Sequence, residues 1–190
     1  MKKFLSILSC LVLLVIITGC GSNKNNDDAL KFKNEYEMLN NKSVKMDISE
    51  NNPIKYATFD EIVDIFNKGT GVVYFGFPGC PWCRNVIPIL FDVAKENNVD
   101  TIYYCNPREI KNRGDNSYQK LIKILYDHLK ENNEGKKAMY VPDVYFVKDG
   151  KIMGNHLNTV NSQKDPYTTL NEEQITELKK IYQELFDKIK

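Results

Sequence analysis

The sequence predicts an α/β fold in which helices cover both faces of a mixed central sheet. Residues 71–77 are almost entirely apolar, which is typical of a strand buried on both faces. Helical periodicities precede and follow this run. Between residues 141 and 156, two strand-like runs are joined by Asp149 and Gly150, a dipeptide that favours a type I′ turn and an antiparallel hairpin. Together these observations indicate a layered α/β domain.

A helix, a strand and a second helix are predicted before the central strand. Residues 30–39 carry a short helical pattern, and the alternation over residues 44–48 predicts an edge strand. Thr58 and Glu61 have the spacing of a capping box at the start of a helix, and Gly69 marks the end of that helix.

The elements after the central strand are predicted in the same way. A helix is expected over about residues 81–97, kinked at Pro88, and a strand over residues 99–105. Residues 116–133 predict a strong amphipathic helix, and Asn171 is expected to cap a final helix. The apolar residues of the amphipathic helix recur at helical spacing: Leu121, Ile122, Leu125 and Leu129.

Residues 1–19 have the organisation of an export signal. Lys2 and Lys3 precede an apolar stretch over residues 4–17, and small residues then lead to Cys20. The run Ile-Thr-Gly-Cys resembles the lipobox of bacterial lipoproteins, in which the cysteine is diacylated and becomes the N-terminus. Two acyl chains suffice for stable anchoring. We therefore expect lipidation at Cys20 and a location on the extracytoplasmic side of the cell membrane. An uncleaved anchor or an ordinary secretory signal is the alternative.

Composition and charge bound the rest of the chain. Residues 20–29 are polar and aperiodic, which predicts a flexible tether to a single domain over residues 30–190 with a core over about 58–190. Removal of Lys2 and Lys3 from 26 basic residues leaves 24 against 25 acidic residues, a net charge of −1. Because there is no basic block, we expect no nucleic-acid binding.

Cys80 and Cys83 follow the central strand and open the predicted helix. Two cysteines at this spacing on a first helical turn can form a disulfide with little backbone movement, and the helix N-terminus favours a thiolate at the first one. Cys80 is the predicted nucleophile, with the N–H groups of Trp82 and Cys83 as donors because Pro81 has none. Cys83 is the predicted resolving thiol. The pair indicates a thiol–disulfide oxidoreductase that needs no cofactor.

Two other uses of the cysteine pair were weighed. A structural disulfide has little thermodynamic rationale, because so short a loop gains little closure entropy. Zinc needs four ligands, and the pair supplies only two, so no metal site is expected. The other candidate ligands are scattered over different predicted elements: Cys105, His128 and His156. Cys105 is expected to be a buried apolar strand residue and His128 to lie on the exposed flank of its helix.

The cysteine pair and the order of elements resemble the thioredoxin superfamily over about residues 58–190. Pro88 stands where thioredoxins carry a helix-kinking proline, and the predicted hairpin matches their terminal hairpin. Val141 and Pro142 precede this hairpin, where the family places a cis-proline loop that faces the disulfide. The resemblance implies a thioredoxin-like fold with a helical insertion before that loop. It also implies that Val141 and Pro142 bind an extended substrate peptide. Without the resemblance, a trans proline is the default.

The sequence departs from thioredoxin at several positions. Residues 78–79 (Pro-Gly) replace the tryptophan that precedes the first cysteine, and residues 81–82 (Pro-Trp) look more like glutaredoxin. Tyr74 occupies the position of a buried acid, and the segment from residue 83 to 142 is longer. This insertion and the Phe-Gly-Phe-Pro-Gly run over residues 75–79 look similar to the bacteriocin-transport-accessory branch of thioredoxin-like proteins.

Three further side chains near the cysteines have predicted roles. Trp82 is expected either to form an exposed docking platform for a partner or to be half-buried against the neighbouring loop. Arg84 is expected to be a solvated first-turn side chain; the alternative is that its charge lowers the pKa of the thiols. Tyr74 is expected to pack in the core and, as a poor base, to leave proton transfer from Cys83 to solvent or to the leaving thiolate.

The predicted function is that of a membrane-tethered enzyme acting on thiols and disulfides of exported proteins or peptides, with a membrane redox partner. The redox direction stays open. The alternative is a non-catalytic accessory or binding module that uses the same fold to hold a peptide during bacteriocin-like export.

Overall fold

The computed structural model describes residues 24–190, and side chains from residue 26 onward. The predicted signal peptide and Cys20 lie outside the described residues, so their assignment stays a prediction. Among the described residues, no helix combines the length and apolar character needed to cross a membrane.

Helices and strands alternate along most of the described chain. In order they are α1 (Lys24–Glu37), β1 (Ile54–Tyr56), α2 (Phe59–Lys68), β2 (Gly71–Phe75), α3 (Pro81–Glu96), β3 (Ile102–Cys105), α4 (Pro107–Asn112), α5 (Ser117–Ile124), a 3-10 turn (Tyr126–His128), β4 (Lys130–Glu131), β5 (Lys137–Ala138), β6 (Asp143–Lys148), β7 (Lys151–Leu157) and α6 (Glu172–Asp187).

The central sheet has five strands in the order β1-β3-β2-β6-β7. β3 runs parallel to both β1 and β2, whereas β6 is antiparallel to β2 and to β7. The predicted mixed sheet is therefore confirmed. The central position of β2 explains why its sequence is almost entirely apolar, since it is paired on both edges and covered on both faces.

Two apolar clusters cover the two faces of the sheet. On one face α1, α3 and α6 contribute large side chains, including Phe32, Tyr36, Leu90, Tyr182 and Phe186. On the other face α2, α4 and α5 contribute Ile62, Phe66, Ile110 and Leu121, and Leu125 packs there just after α5. Helices on both faces were expected. The first cluster also takes in α1 and β1, so the core begins before residue 58.

The predicted turn and caps are present. Asp149 and Gly150 both have positive φ, 49° and 75°, as a type I′ turn requires. A side chain at position 150 would also place its Cβ 2.3 Å from the carbonyl oxygen of Asn67, so glycine is needed there. Thr58 and Asn171 cap α2 and α6 with complete capping boxes.

The strand predicted over residues 44–48 does not form. Val44, Met46 and Ile48 are buried in alternation as expected, but the segment pairs with no strand. Side chains bind its backbone instead: Asn40 bonds both the N–H and the carbonyl group of Met46, and Glu37 accepts from the N–H of Ile48. The first strand of the sheet is β1, only three residues long.

The helix predicted over residues 116–133 is shorter than expected. α5 ends at Ile124, a 3-10 turn follows, and β4 and β5 form a small hairpin. Leu121, Leu125 and Leu129 are all buried, so the helical spacing marked the correct inward positions. Residues 132–135 (Asn-Asn-Glu-Gly) form the turn of this hairpin, in which Gly135 has a φ of 71°.

The flexible tether predicted over residues 20–29 is wrong for residues 24–29, which belong to α1. Ala29 is buried, and the Asp28 carboxylate accepts a hydrogen bond of 3.0 Å from the N–H of Tyr56 in β1. The sequence showed no apolar periodicity there, and the contact of Asp28 with β1 is polar.

Candidate active site

The cysteine pair lies where β2 leads through residues 76–79 into α3. Cys80 is the N-cap of α3, and its Sγ accepts a hydrogen bond of 3.2 Å from the N–H of Cys83. Pro81 occupies the first helical position, where its missing N–H costs nothing. Both sulfurs belong to free cysteines. Cys83 is fully buried, whereas Cys80 lines a surface cleft.

The surroundings shift the pKa values of the two thiols in opposite directions. A hydrogen bond from the Cys83 thiol lowers the pKa of Cys80, and the N–H groups of Cys83 and Trp82 and the charge of Arg108 add to this effect against the opposing influence of burial. These amides are the two donors expected from the sequence. Burial raises the pKa of Cys83 well above its usual range, and the neighbouring Cys80 sulfur adds to the rise. The arrangement favours a thiolate at Cys80 and a protonated thiol at Cys83.

Val141 and Pro142 face the cysteines across the cleft. The peptide bond between them is cis, as the resemblance implied. Cys80 Sγ lies 3.8 Å from the carbonyl oxygen of Val141. The structure therefore brings together Cys80, Cys83 and Val141 from two separate parts of the chain.

A cleft of about 650 Å³ opens in front of Cys80. Trp82 lines this cleft and a second one of about 340 Å³, and it also packs against the core. It is half-buried, as in the second of the two expectations, while still bordering both clefts. The rim includes two exposed aromatic side chains, Tyr140 and Tyr167.

Arg84 is not the solvated side chain that the sequence predicted. It is 1% exposed. Its guanidinium donates to the carbonyl oxygens of Val44 (2.6 Å), Tyr36 (2.7 Å) and Pro78 (3.2 Å) and to Oδ1 of Asn40 (2.7 Å). Arg84 is buried because α1 and the segment after it fold over the start of α3. It joins these segments to the loop that precedes Cys80.

Tyr74 packs in the core as predicted, and its hydroxyl has a further contact. The hydroxyls of Tyr36 and Tyr74 lie 3.2 Å apart in the buried region behind the cysteines. Hydrogen bonding from the N–H of Phe77 and from the Tyr74 hydroxyl opposes part of the rise in the pKa of Cys83. A Cβ at Gly76 would lie 2.2 Å from the Tyr74 oxygen, so glycine leaves the space that this hydroxyl occupies.

Sequence reasoning missed two residues that line or support the site. Arg108, on α4, lies with its guanidinium carbon 3.5 Å from the ring centre of Phe77. Asn85, on α3, donates to the carbonyl oxygen of Pro166 over 2.9 Å and so holds the loop that carries Tyr167 beside the cleft. Neither had a signal in its local sequence, because both depend on contacts with distant segments.

Asp143 lies directly behind the cis-proline loop. Burial raises the pKa of its carboxyl to about 7, although a hydrogen bond of 2.9 Å from Asn155 favours the charged form. It is the first residue of β6 and pairs with Phe75, at the end of β2. Sequence reasoning did not single it out, because an acid at a strand start is ordinarily solvated.

The remaining candidate residues lie apart from the cysteine pair. Cys105 is buried in β3 as predicted, and burial raises its pKa to about 12. His128 is exposed in the 3-10 turn, and the His156 ring contacts the carbonyl oxygen of Thr159. Within residues 24–190, no three His, Cys, Asp or Glu side chains are grouped as a metal site requires.

Comparison with known proteins finds structural likenesses among the solved structures. The chain is similar to thioredoxin O2 from Arabidopsis thaliana in its oxidised state, with 17% sequence identity, a TM-score of 0.41, and coverage of 70% of this chain and 92% of that chain. No protein-family model matches the chain, and no curated protein matches it significantly.

The chain has a thioredoxin-like fold. Its own strand order, the cysteine pair at the start of α3 and the cis-proline before β6 support this assignment. The geometry of the pair is suited to redox chemistry between thiols and a disulfide.

Proposed function

We propose that this protein is a thiol–disulfide oxidoreductase acting through Cys80 and Cys83. The observation that carries the proposal is the hydrogen bond from the N–H of Cys83 to the Cys80 sulfur at the start of α3, opposite the cis-proline loop. This contact stabilises a thiolate on the sulfur that borders the cleft and leaves the buried sulfur protonated.

The reaction proceeds by two exchanges. The Cys80 thiolate attacks one sulfur of a partner disulfide, forming a mixed disulfide and releasing the other partner sulfur as a thiolate. Cys83 then loses its proton to solvent or to the departing thiolate and attacks Cys80. The Cys80–Cys83 disulfide forms, and the second partner thiol leaves. The partner is reduced by two electrons and the protein is oxidised by two. Run in reverse, the same steps oxidise a dithiol partner.

Trapping of the mixed disulfide tests this mechanism. Cys83→Ala should accumulate a covalent adduct with a disulfide substrate such as insulin, because no thiol resolves it, whereas Cys80→Ala should form none. Cys105→Ala is the matched control and should turn over insulin with dithiothreitol as wild type does. Adduct formation by Cys80→Ala, or no insulin reduction by wild type, would contradict the proposal. Equilibration with a glutathione redox buffer then gives the reduction potential, and hence the favoured direction.

We further propose that the domain is held at the extracytoplasmic face of a cell membrane by a diacylated Cys20, and that exported proteins or peptides and a membrane redox protein are its partners. The order of basic, apolar and lipobox residues supports the anchor. Because α1 begins at Lys24, only residues 21–23 separate the anchor from the domain. Because each residue spans at most about 3.5 Å, this connection keeps the start of α1 close to the membrane surface.

Replacement of Cys20 tests the anchor. In Cys20→Ala, the precursor should stay unprocessed or be released, and palmitate labelling should be lost. Cys105→Ala is the control and should be labelled as wild type. A Cys20→Ala protein that is still cleaved after Gly19 and still partitions into detergent would contradict the assignment.

The alternative function is a non-catalytic module that holds a peptide during export, as in the bacteriocin-transport-accessory branch. The cleft beside Trp82, with the exposed rings of Tyr140 and Tyr167 at its rim, favours peptide holding as a second function. An insulin-reduction assay distinguishes the oxidoreductase from the holding module. A holding module does not reduce insulin, and its Cys80→Ala variant binds peptide as well as wild type does.

A further inference from the structure

The charged side chains that line the cleft in front of Cys80 all have the same sign. Of the described side chains that line it, only Arg108 and Lys111 are charged, and both are basic. Both lie on α4, which follows β3 at the edge of the sheet where α3 begins. The acidic residue of the same helix, Glu109, lies outside the lining and accepts a hydrogen bond of 2.9 Å from Asn106.

Aromatic rings, not acids, hold the two cations. The Arg108 guanidinium lies 3.5 Å from the centre of the Phe77 ring, and Lys111 Nζ lies 5.7 Å from the centre of the Tyr118 ring. Among the ion pairs of residues 24–190, none involves either side chain. A cation over a ring keeps its charge available to a second partner. The positive charge is therefore uncompensated at the mouth of the site.

We propose that Arg108 and Lys111 select partner segments that carry an acidic side chain next to the reactive cysteine. This inference rests on the proposed thiol–disulfide exchange and names its substrate class. The occupant is an extended segment of a partner protein, with its cysteine at Cys80, its backbone along Val141 and its acidic side chain toward α4. Charge complementarity at a cleft of this kind raises the rate of encounter.

The dimensions and lining of the cleft favour a peptide over a small carboxylate. About 650 Å³ accommodates several residues, and the rim adds three large aromatic side chains, Trp82, Tyr140 and Tyr167. The carbonyl oxygen of Val141 faces the sulfur, where an extended backbone can pair in strand fashion.

Exchange kinetics with three peptides test the proposal. Each short peptide carries one cysteine as a 2-pyridyl disulfide and differs only in the two flanking residues: aspartate, asparagine or lysine. In the full chain purified in detergent and bearing Cys83→Ala, the Cys80 thiolate attacks the peptide sulfur. The sulfur–sulfur bond to the pyridyl group breaks, and 2-thiopyridone leaves with the electron pair and takes a proton. Its absorbance gives the rate, and the Cys80→Ala/Cys83→Ala protein gives the background.

At low ionic strength, the aspartate peptide should react about tenfold faster than the lysine peptide, with the asparagine peptide between them. In about 1 M NaCl, where the Debye length is about 3 Å, the preference should nearly vanish. Arg108→Gln/Lys111→Gln should abolish it at low salt. Because any change in Cys80 reactivity affects all three peptides alike, the ratio of rates isolates recognition.

Lys120→Gln/Lys123→Gln is the matched control, since it removes the same charge from exposed positions of α5 outside the cleft. It should retain the preference. Equal rates for the three peptides, or a preference unchanged in Arg108→Gln/Lys111→Gln, would overturn the proposal and leave thiol exchange standing. A preference for a small dicarboxylate pyridyl disulfide over the aspartate peptide would overturn the peptide assignment. Absence of thiopyridone release from every substrate would overturn both this inference and the proposed function.

Discussion

The hydroxyl groups of Tyr36 and Tyr74 lie 3.2 Å apart in the buried region behind Cys83. Burial raises the pKa of Tyr74 well above its usual range, so its hydroxyl stays protonated and acts as a donor. A tyrosine here cannot accept the proton of Cys83 at neutral pH. It can stabilise the thiolate that remains after the proton has left.

Tyr74→Phe should therefore slow the attack of Cys83 on the mixed disulfide. A hydrogen bond to a charged group contributes about 1.5 kcal/mol, roughly a tenfold change in thiolate population. Because a thiolate of higher basicity is also a better nucleophile, the net effect should be about threefold at neutral pH. Rapid quenching of the Cys80 mixed disulfide measures this step.

Tyr182→Phe is a matched control, since Tyr182 is also fully buried and packs in the same apolar cluster. Its resolution rate should equal that of wild type. Equal resolution rates in Tyr74→Phe and wild type would show that Tyr74 only packs in the core.

Alkylation of the reduced protein should distinguish the three described cysteines. Since the pKa of Cys80 is lowered, its thiolate persists at lower pH, and Cys80 should react first as pH rises. Cys83 and Cys105 have raised pKa values and should react only in more alkaline solution. Iodoacetamide labelling across pH, read by peptide mass spectrometry, measures the order.

Cys83→Ala should move the alkylation midpoint of Cys80 upward, because the thiol that donates to Cys80 is lost, whereas Cys83→Ser retains a donor and should move it less. Faster labelling of Cys83 than of Cys80 at neutral pH would reverse the two roles.

Local patterns predicted the parts of the fold that depend on local chemistry. The type I′ turn at Asp149 and Gly150 and the caps at Thr58 and Asn171 all formed, because their side-chain and dihedral requirements lie within a few residues. The alternation over residues 44–48 correctly marked the inward side chains. It could not show that side chains, rather than a neighbouring strand, would satisfy the backbone.

The predicted site was incomplete for the same reason. The cysteine spacing and the proline before the hairpin located the two sulfurs at the start of α3 and the loop opposite them. Arg84 looked like a first-turn surface residue, and its partners Tyr36 and Val44 lie 48 and 40 positions away in the chain. Arg108 belongs to an insertion whose placement beside Phe77 depends on the packing of the whole second face. Long-range contacts of this kind have no local signature.

Arg84→Met should destabilise the domain by about 4 kcal/mol, because four acceptors lose their donor, three of them backbone carbonyl oxygens, and each buried acceptor left unsatisfied costs about 1–3 kcal/mol. Urea unfolding measures the loss. Arg84→Lys keeps the charge without the planar guanidinium group, so its stability should lie between those of wild type and Arg84→Met. Arg113→Met removes an arginine from an exposed position and should change stability by less than about 1 kcal/mol. If Arg84→Met proved as stable as Arg113→Met, Arg84 would not hold α1 to the active-site loop.

Asp143 makes stability depend on pH in a defined window. Burial raises the pKa of its carboxyl to about 7 in the folded state, against about 3.9 in the unfolded chain. Between these values the folded state holds a proton that the unfolded state has lost. The free energy of unfolding therefore falls as pH rises from about 4 to 7, and levels off above that. The Lys130 charge favours the ionised form and moderates the effect.

Asp143→Asn should remove this contribution, because an amide does not titrate. Its oxygen can still accept the hydrogen bond that Asn155 donates to Asp143. From pH 4 to pH 8, the unfolding free energy of Asp143→Asn should rise relative to that of wild type, by at most about 4 kcal/mol. Urea unfolding at these two pH values measures it, and groups common to both proteins cancel. Asp100→Asn, at an exposed position, should show no such trend. A difference for Asp143→Asn that stays constant with pH would mean that this carboxyl titrates in the folded protein as it does in the unfolded chain.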